Sequence, residues 1–179
     1  MKETLIVPLT KSPHPRGRIG PTRWQDWFRG LRRAVTIAKV IPNAEILILS
    51  NVRVANQPHE ADLYSEALAE MGVISFRVIR ECYETIEQIN YSIDLAIQER
   101  KNLIFVSTFL HYLRVEWLIL THPDRKLVEV KHYSVLGIPR PKEALTDIVL
   151  TVLFPLIDLV GGRQWFLRAV NSRRLTGKH

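Results

Sequence analysis

The stretch STFLHYLR, residues 107–114, carries side chains that could bind a ligand and exchange a proton with it. Two hydroxyls, Ser107 and Thr108, follow an apolar run, and His111 and Arg114 stand three residues apart. Residues with that spacing share one face of a helix. Arginine binds phosphate or carboxylate through paired hydrogen bonds, and histidine titrates near neutral pH. The pattern is typical of an anion site that contains a general acid or base.

The same residues also have a purely structural interpretation. In that interpretation Thr108 caps the following helix, and His111 and Arg114 make ordinary hydrogen bonds at the surface. Spacing alone slightly favours the structural interpretation. The location of these residues in the fold has to decide between the two.

The elements that would position these residues alternate along the chain. Continuous apolar runs predict strands at 4–10, 44–51, 73–79, 102–108 and 126–136. Amphipathic segments predict helices at 22–40, 61–72, 85–100 and 110–120. Such alternation predicts an α/β fold, a Rossmann-like three-layer α/β/α sandwich around a five-stranded, mainly parallel sheet with right-handed crossovers.

Length and composition favour one domain over residues 1–179, with a core at about 4–136 and a C-terminal helical extension at 137–179. In the extension, the apolar run 142–160 contains two aspartates and a proline, so it is a poor membrane span. We expect a buried helix there, kinked or ended near Pro155.

The net charge of +7 is concentrated near the two ends of the chain. Residues 11–33 contain seven Lys and Arg against one acid, and residues 163–179 contain five with no acid. Such segments can contact phosphates, anionic lipid or nucleic acid, or can be solvated surface. The aromatic residues within 11–33 recur at helical spacing, which indicates core and makes nucleic-acid binding the least favoured of these: Trp24, Trp27 and Phe28.

Two features of the sequence bear on the cellular location of the protein and on the cofactors that it could bind. Because Cys82 is the single cysteine, the chain has neither a disulfide framework nor a zinc site built from several thiolates. The histidines are not spaced as metal ligands, so no metal is expected. The N-terminal apolar run is too short for a signal peptide or membrane anchor. We expect a cytoplasmic protein.

Ligands of open parallel sheets bind outside the carboxyl ends of the strands, where helix N-termini favour anions. The candidate ligand-binding residues are therefore the polar residues that follow each predicted strand. They are Thr10 after the first, Ser50, Asn51 and Glu60 after the second, Thr85 and Glu87 after the third, and Ser107, Thr108, His111 and Arg114 after the fourth.

Three segments carry a family resemblance. VSTFLHYLR (106–114) resembles the motif V-T-S-x-x-H-x-x-R of the DUF218 (YdcF-like, SanA/ElyC-like) family. HEADLYSEALAEMGV (59–73) is similar to its E-A-x-x-(Y/M)-x-x-x-L-x-x-x-G-V, and ECYETIEQINYS (81–92) to its E…S-x-N-T-x-E-N-A-x-x-S. The resemblance covers about 4–136. The chain departs from it after the first two strands, where LTKSPHP and SNVRV replace glycine-rich loops.

The resemblance implies a Rossmann-like fold with a polar cleft at the carboxyl ends of the strands. Members of the family are bacterial, some are linked to envelope biogenesis, and one branch is associated with S-adenosylmethionine. No general reaction is established for the family. On this basis His111 and Glu60 are the candidate catalytic residues.

Two hypotheses follow. In the first, the cleft binds a small anionic ligand that is phosphorylated, nucleotide-like or S-adenosylmethionine-like, with His111 as general acid or base oriented by Glu60 or Glu87. In the second, the chain is a non-catalytic interaction protein. Residues 145–179 would then contact a second copy, another partner or a membrane surface, which would make the protein peripheral to the membrane.

Overall fold

A five-stranded, all-parallel sheet forms the centre of the molecule. The computed structural model describes residues 2–10, 22–52, 58–139 and 141–175. The strands lie in the order β3-β2-β1-β4-β5, and their bounds are β1 Thr4–Pro8, β2 Ala44–Leu49, β3 Phe76–Ile79, β4 Asn102–Thr108 and β5 Val130–Val135. The predicted parallel sheet is therefore confirmed.

The helices follow the predicted order. Their bounds are α1 Asp26–Val40, α2 Glu60–Glu70, α3 Thr85–Gln98, α4 Tyr112–Leu120, α5 Pro141–Leu159 and α6 Arg163–Leu175. Short 3₁₀ turns precede α1, α4 and β5 at Thr22–Trp24, Phe109–His111 and Arg125–Leu127. The last of these turns occupies the start of the predicted fifth strand, so β5 begins later than its apolar pattern suggests. Gly72 ends α2 with a φ of +72°, as expected for its place after the helix.

Both faces of the sheet are covered, which makes the fold a Rossmann-like three-layer sandwich. Leu5 and Val7 of β1 are fully buried on the side of α3 and α4, and Ile6 between them is fully buried on the side of α1 and α2. Burying a side chain of this size stabilises the fold by about 1.5–3 kcal/mol. Burial on both faces explains why the strands read as continuous apolar runs.

The strand order reverses between β1 and β4. The chain runs outward from β1 through β2 to β3, and then returns to place β4 on the other side of β1. Connections on the two sides of this point leave on opposite faces, which opens a crevice at the carboxyl ends of β1 and β4. Thr10 and the segment 107–114 both lie beside this crevice.

Helix α5 differs from the predicted buried helix. It does not end at Pro155 but continues to Leu159, and only one side of it is buried. Phe154 on the inner side is fully buried and stacks edge-on against Phe166 of α6 at a centroid distance of 5.4 Å. The outer side exposes aliphatic side chains: Leu145, Ile148, Val149, Val152, Leu153, Leu156 and Leu159. The prediction of a buried helix was wrong because hydrophobicity does not show what covers a surface.

The extension packs on the layer of α3 and α4. Thr151 donates to the backbone oxygen of Leu110 at 3.0 Å, and the Trp117 indole donates to Asp158 at 2.8 Å. Within the described ranges, no helix combines the length and apolarity needed to cross a bilayer.

A close backbone approach at Gly137 yields a stability prediction. A Cβ at this position would lie 2.4 Å from the Cα of Asp26, whereas a Cβ at Gly30 in α1 would meet nothing within 4 Å. We expect Gly137→Ala to lower the free energy of unfolding by about 1–3 kcal/mol through overpacking. Gly30→Ala, the matched control, should raise it by about 0.5–1 kcal/mol. Urea unfolding measures both, and a Gly137→Ala protein as stable as the parent would contradict the close approach.

Candidate functional site

Arg114 is a buried cation at the carboxyl end of the sheet. It is 5% exposed and lies in the first turn of α4. Its Nη2 makes two long contacts, 3.5 Å to Thr85 Oγ1 and 3.4 Å to His111 Nε2, and its Nε has no hydrogen-bond partner. Among the described residues, no carboxylate lies within ion-pair distance of this guanidinium. A buried charge without an ionic partner is costly, so the geometry suits an incoming anion.

His111 is paired with a carboxylate from the C-terminal extension. Its Nε2 lies 2.5 Å from Oδ1 of Asp147 in α5, and the two residues are 5% and 6% exposed. When Asp147 is ionised, the proton on Nε2 points to it, so Nε2 has no lone pair left for Arg114. The pair therefore orients the imidazole and leaves the guanidinium without a strong acceptor.

A buried polar bridge joins the ends of β1 and β2 to α3. The amide nitrogen of Gln88 donates to Thr10 Oγ1 at 2.6 Å and to the Leu49 backbone oxygen at 2.9 Å. The hydroxyl of Thr10 donates to the same Leu49 oxygen at 3.1 Å. Gln88 Oε1 and Thr108 Oγ1 have no partner, although both residues are more than nine-tenths buried. Such atoms normally have partners, so they too are available to a ligand.

Ser50 and Asn51, which directly follow β2, make polar contacts of their own. Ser50 donates to the carboxylate of Glu60 at 2.5 Å and accepts from the backbone nitrogen of Val52 at 3.2 Å. The Asn51 amide donates to the Tyr83 hydroxyl at 2.7 Å. These contacts tie the end of β2 to the start of α2 through the Ser50 hydroxyl and the Glu60 carboxylate.

Thr85 and Glu87 belong to the start of α3. Glu87 accepts from the backbone nitrogens of Tyr83 and Glu84 at 2.7 and 3.1 Å, which completes a capping box. Thr85 is the residue whose hydroxyl Arg114 contacts. The structure thus gives Glu87 a structural role and brings Thr85 to the cation; ligand binding by either residue stays a prediction.

Ser107 faces a different polar network from its neighbour Thr108. Its Oγ lies 2.7 Å from Nε2 of His132, and Nδ1 of His132 lies 2.7 Å from the carboxylate of Glu116. This is the arrangement of a nucleophile, a base and an orienting acid. Ser107 is only 1% exposed and the Tyr112 ring stacks on His132 at 4.8 Å, so the network ties β4, β5 and α4 together. Burial lowers the pKa of His132 below its ordinary value, and the Glu116 carboxylate opposes that effect.

Two details of the structural interpretation of the segment 107–114, the helix cap and the surface location, are wrong. The Thr108 hydroxyl caps no helix and has no partner, and His111 and Arg114 are buried. The switch point brings His111, Arg114 and Thr85 into direct contact. The other candidates lie at the same edge of the sheet, since each follows a parallel strand.

Sequence reasoning did not select Asp147 and Gln88. Asp147 left a signal, because an acidic residue inside an apolar helical run has to find a polar partner when it is buried. Gln88 stands where the motif E…S-x-N-T-x-E-N-A has its second Asn, but its bridge to Thr10 depends on how α3 packs over the sheet. The carboxylate that orients His111 is thus Asp147, whereas the prediction named Glu60 or Glu87.

The comparisons with known proteins add no relative. No family model, no curated protein and no solved structure matches the chain. The resemblance to the DUF218 family therefore remains a prediction that rests on its motifs. The structure also groups no three His, Cys, Asp or Glu side chains as metal ligands in the part of the chain that it describes.

The lowered pKa of His132 predicts a loss of stability in mild acid. Protonation favours the unfolded state, where the pKa has its ordinary value of about 6.5. The stability that the neutral, buried His132 contributes is therefore complete above about pH 6.5. It is lost as the pH falls towards the lower folded-state pKa. A difference of one pKa unit between the two states corresponds to about 1.4 kcal/mol of stability. Thermal unfolding between about pH 7.5 and 5 should show a shallower pH dependence for His132→Asn than for the wild type.

His122→Asn, at another buried histidine, controls for the loss of a buried ring. A His132→Asn protein whose unfolding temperature follows the wild-type pH curve would contradict this assignment.

Proposed function

We propose that the crevice between β1 and β4 binds a small anionic ligand through Arg114, and that His111 exchanges a proton with it. One observation carries the proposal: the Arg114 guanidinium is buried, and no described carboxylate lies within ion-pair distance of it. Burying an ion has an effective penalty of several kcal/mol. A bound phosphate or carboxylate offsets that penalty with charge-assisted hydrogen bonds.

The surroundings of Arg114 support the same ligand class. The first turn of α4 presents the positive end of a helix dipole, which favours negative charge. Thr108 Oγ1 and Gln88 Oε1 are unpartnered groups at the same edge of the sheet. The ligand class includes phosphorylated and nucleotide-like compounds, and also S-adenosylmethionine, which has a carboxylate. The family resemblance links such a ligand to the bacterial envelope. In this proposal the protein is cytoplasmic, and its C-terminal segment 145–179 makes it peripheral to the membrane.

The His111–Asp147 pair supports acid–base chemistry on the bound ligand. The carboxylate fixes the orientation of the imidazole and stabilises its protonated form. In this proposal Arg114 holds the anionic group. Because Nε2 of His111 is hydrogen-bonded to Asp147, the imidazole acts through Nδ1, which gives a proton to the departing atom or takes one from the attacking atom. Glu60, which accepts from Ser50, is proposed to shape the ligand pocket from the β2 side.

Thermal-shift screening tests the anion site. The panel contains nucleotides, S-adenosylmethionine, sugar phosphates and polyprenyl-phosphate analogues. A ligand at a hundredfold excess over its Kd stabilises the folded state by about 2.7 kcal/mol. We expect a hit whose shift disappears in Arg114→Ala and persists in Arg168→Ala, which removes an exposed arginine from α6. Equal shifts in both variants would refute the role of Arg114.

The proton-transfer role is tested on that hit. His111→Gln and Asp147→Asn should still bind it, while conversion measured by mass spectrometry slows by about 10²–10⁴-fold in His111→Gln. In Asp147→Asn the rate of conversion should fall by a smaller factor, and its pH profile should shift, because Asp147 acts through His111. Conversion at the wild-type rate in both variants would remove His111 from the mechanism.

A second candidate function is self-association through α5. Between residues 144 and 159 the only charged side chains are Asp147 and Asp158, and both are largely buried. The outer side is therefore uncharged and aliphatic, with Leu145 and Val152 exposed by 66% and 64%. Large exposed apolar patches are rare on monomers, and homodimer interfaces are the most apolar class. The same patch on a second copy of the chain is the matching partner.

Solution mass tests self-association. We expect the wild type to be a dimer and Val152→Glu to be a monomer, because the substitution buries an unpaired charge in the interface. Ile74→Glu, at an aliphatic residue that is 97% exposed and far from α5 in sequence, is the matched control and should leave the dimer intact. Sedimentation of the wild type as a monomer would refute the proposed dimer.

A further inference from the structure

An arginine-rich pocket lies on the other side of the sheet from α4. It has a volume of 380 Å³ and is formed by α1, the turn before it and Val135 at the end of β5. Its polar lining consists of four arginines, a threonine and a tryptophan: Arg23, Arg29, Arg32, Arg33, Thr36 and Trp24. It shares no lining residue with the crevice at Arg114. Its volume falls within the range of about 300–1,000 Å³ of small-molecule sites.

Three of these arginines lie on one face of α1, where their positive charges repel one another. Arg29 is three and four residues before Arg32 and Arg33, and these two are four and three residues before Thr36, so all four share one side of α1. Like charges at these spacings destabilise a helix. Among the described residues, no carboxylate forms an ion pair with Arg23, Arg29, Arg32 or Arg33. The pocket therefore concentrates positive charge that nothing described in the chain neutralises.

Aromatic rings orient three of these arginines. The guanidinium carbons of Arg23 and Arg29 lie 5.8 and 5.5 Å from the Trp24 ring centroid, and that of Arg33 lies 5.5 Å from the Tyr133 ring. Cation–π contacts hold the side chains in place without neutralising them. Trp24 is 47% exposed, so its predicted place in the core was wrong, whereas Trp27 is buried as expected. Preorientation lowers the entropy lost when a ligand binds.

We propose that this pocket is a second anion site, for a ligand that carries several closely spaced phosphates. Guanidinium groups bind phosphate oxygens through paired hydrogen bonds, and a row of four matches several phosphates better than one. A nucleoside polyphosphate and a nucleic-acid strand both present this chemistry. The pocket differs from the crevice in that its cations are largely exposed, so binding here depends strongly on salt.

Isothermal titration calorimetry tests the site with three probes: inorganic tripolyphosphate, ATP and a single-stranded oligothymidylate of about ten nucleotides. Each of Arg29→Ala and Arg32→Ala should weaken binding of the preferred probe by about tenfold or more. Each substitution should also reduce the salt slope for the oligonucleotide by about one. Lys39→Ala removes the same charge from the far end of α1 and should leave the affinity close to that of the wild type.

The probe that binds tightest identifies the source of the phosphates: tripolyphosphate or ATP indicates a free polyphosphate, and the oligonucleotide indicates a strand. Either result supports the proposed site if binding of that probe is weakened by Arg29→Ala and by Arg32→Ala. The unliganded variants should unfold at the wild-type temperature or higher, since the substitutions relieve repulsion. No binding by any probe would overturn the site, and so would binding that Arg114→Ala abolishes but Arg32→Ala leaves intact.

Discussion

The sheet is buried on both faces, and this constraint determines where polar chemistry can occur. The interiors of the central strands β1 and β4 carry only apolar side chains, as Leu5, Ile6 and Val7 show in β1. In these strands polar side chains stand at the ends, and parallel strands bring all their carboxyl ends to one edge. The reversal of strand order between β1 and β4 opens that edge. Arg114, His111 and the polar bridge at Gln88 therefore collect in one place because of topology.

Arg114 and the arginines of α1 differ in how strongly water screens their charges. Arg114 is isolated and desolvated, so each contact with an anion is strong and one charge suffices. The arginines on α1 are mostly solvated and screened, so several must act together. Cation–π contacts with Trp24 and Tyr133 fix the second group in the way that packing fixes the first. The two proposed ligands differ accordingly: a single anionic group in the crevice and a series of phosphates on α1.

The sequence was most informative where pattern and burial coincide. The alternation of apolar runs with amphipathic segments predicted the parallel sheet, and the rule that ligands bind at strand ends selected Arg114 and His111. The apolar pattern gave wrong or no predictions where the exposure of a side chain depends on its neighbours in space and not on the local sequence. It could not show that α5 has one open side, that Trp24 is exposed, or that Asp147 reaches His111 from 36 residues away. Those facts depend on how the extension and α1 pack, which local periodicity does not encode.

Helix α5 joins two surfaces that are otherwise separate. Its inner side presents Asp147 to His111, and its outer side presents Val152 and its aliphatic neighbours to the outside. A contact that displaced α5 would change the geometry of the His111–Asp147 hydrogen bond. If the proposed ligand and the proposed second copy both bind, thermodynamic linkage makes any effect of one on the affinity of the other reciprocal. One helix thus connects the proposed ligand crevice with the proposed contact surface.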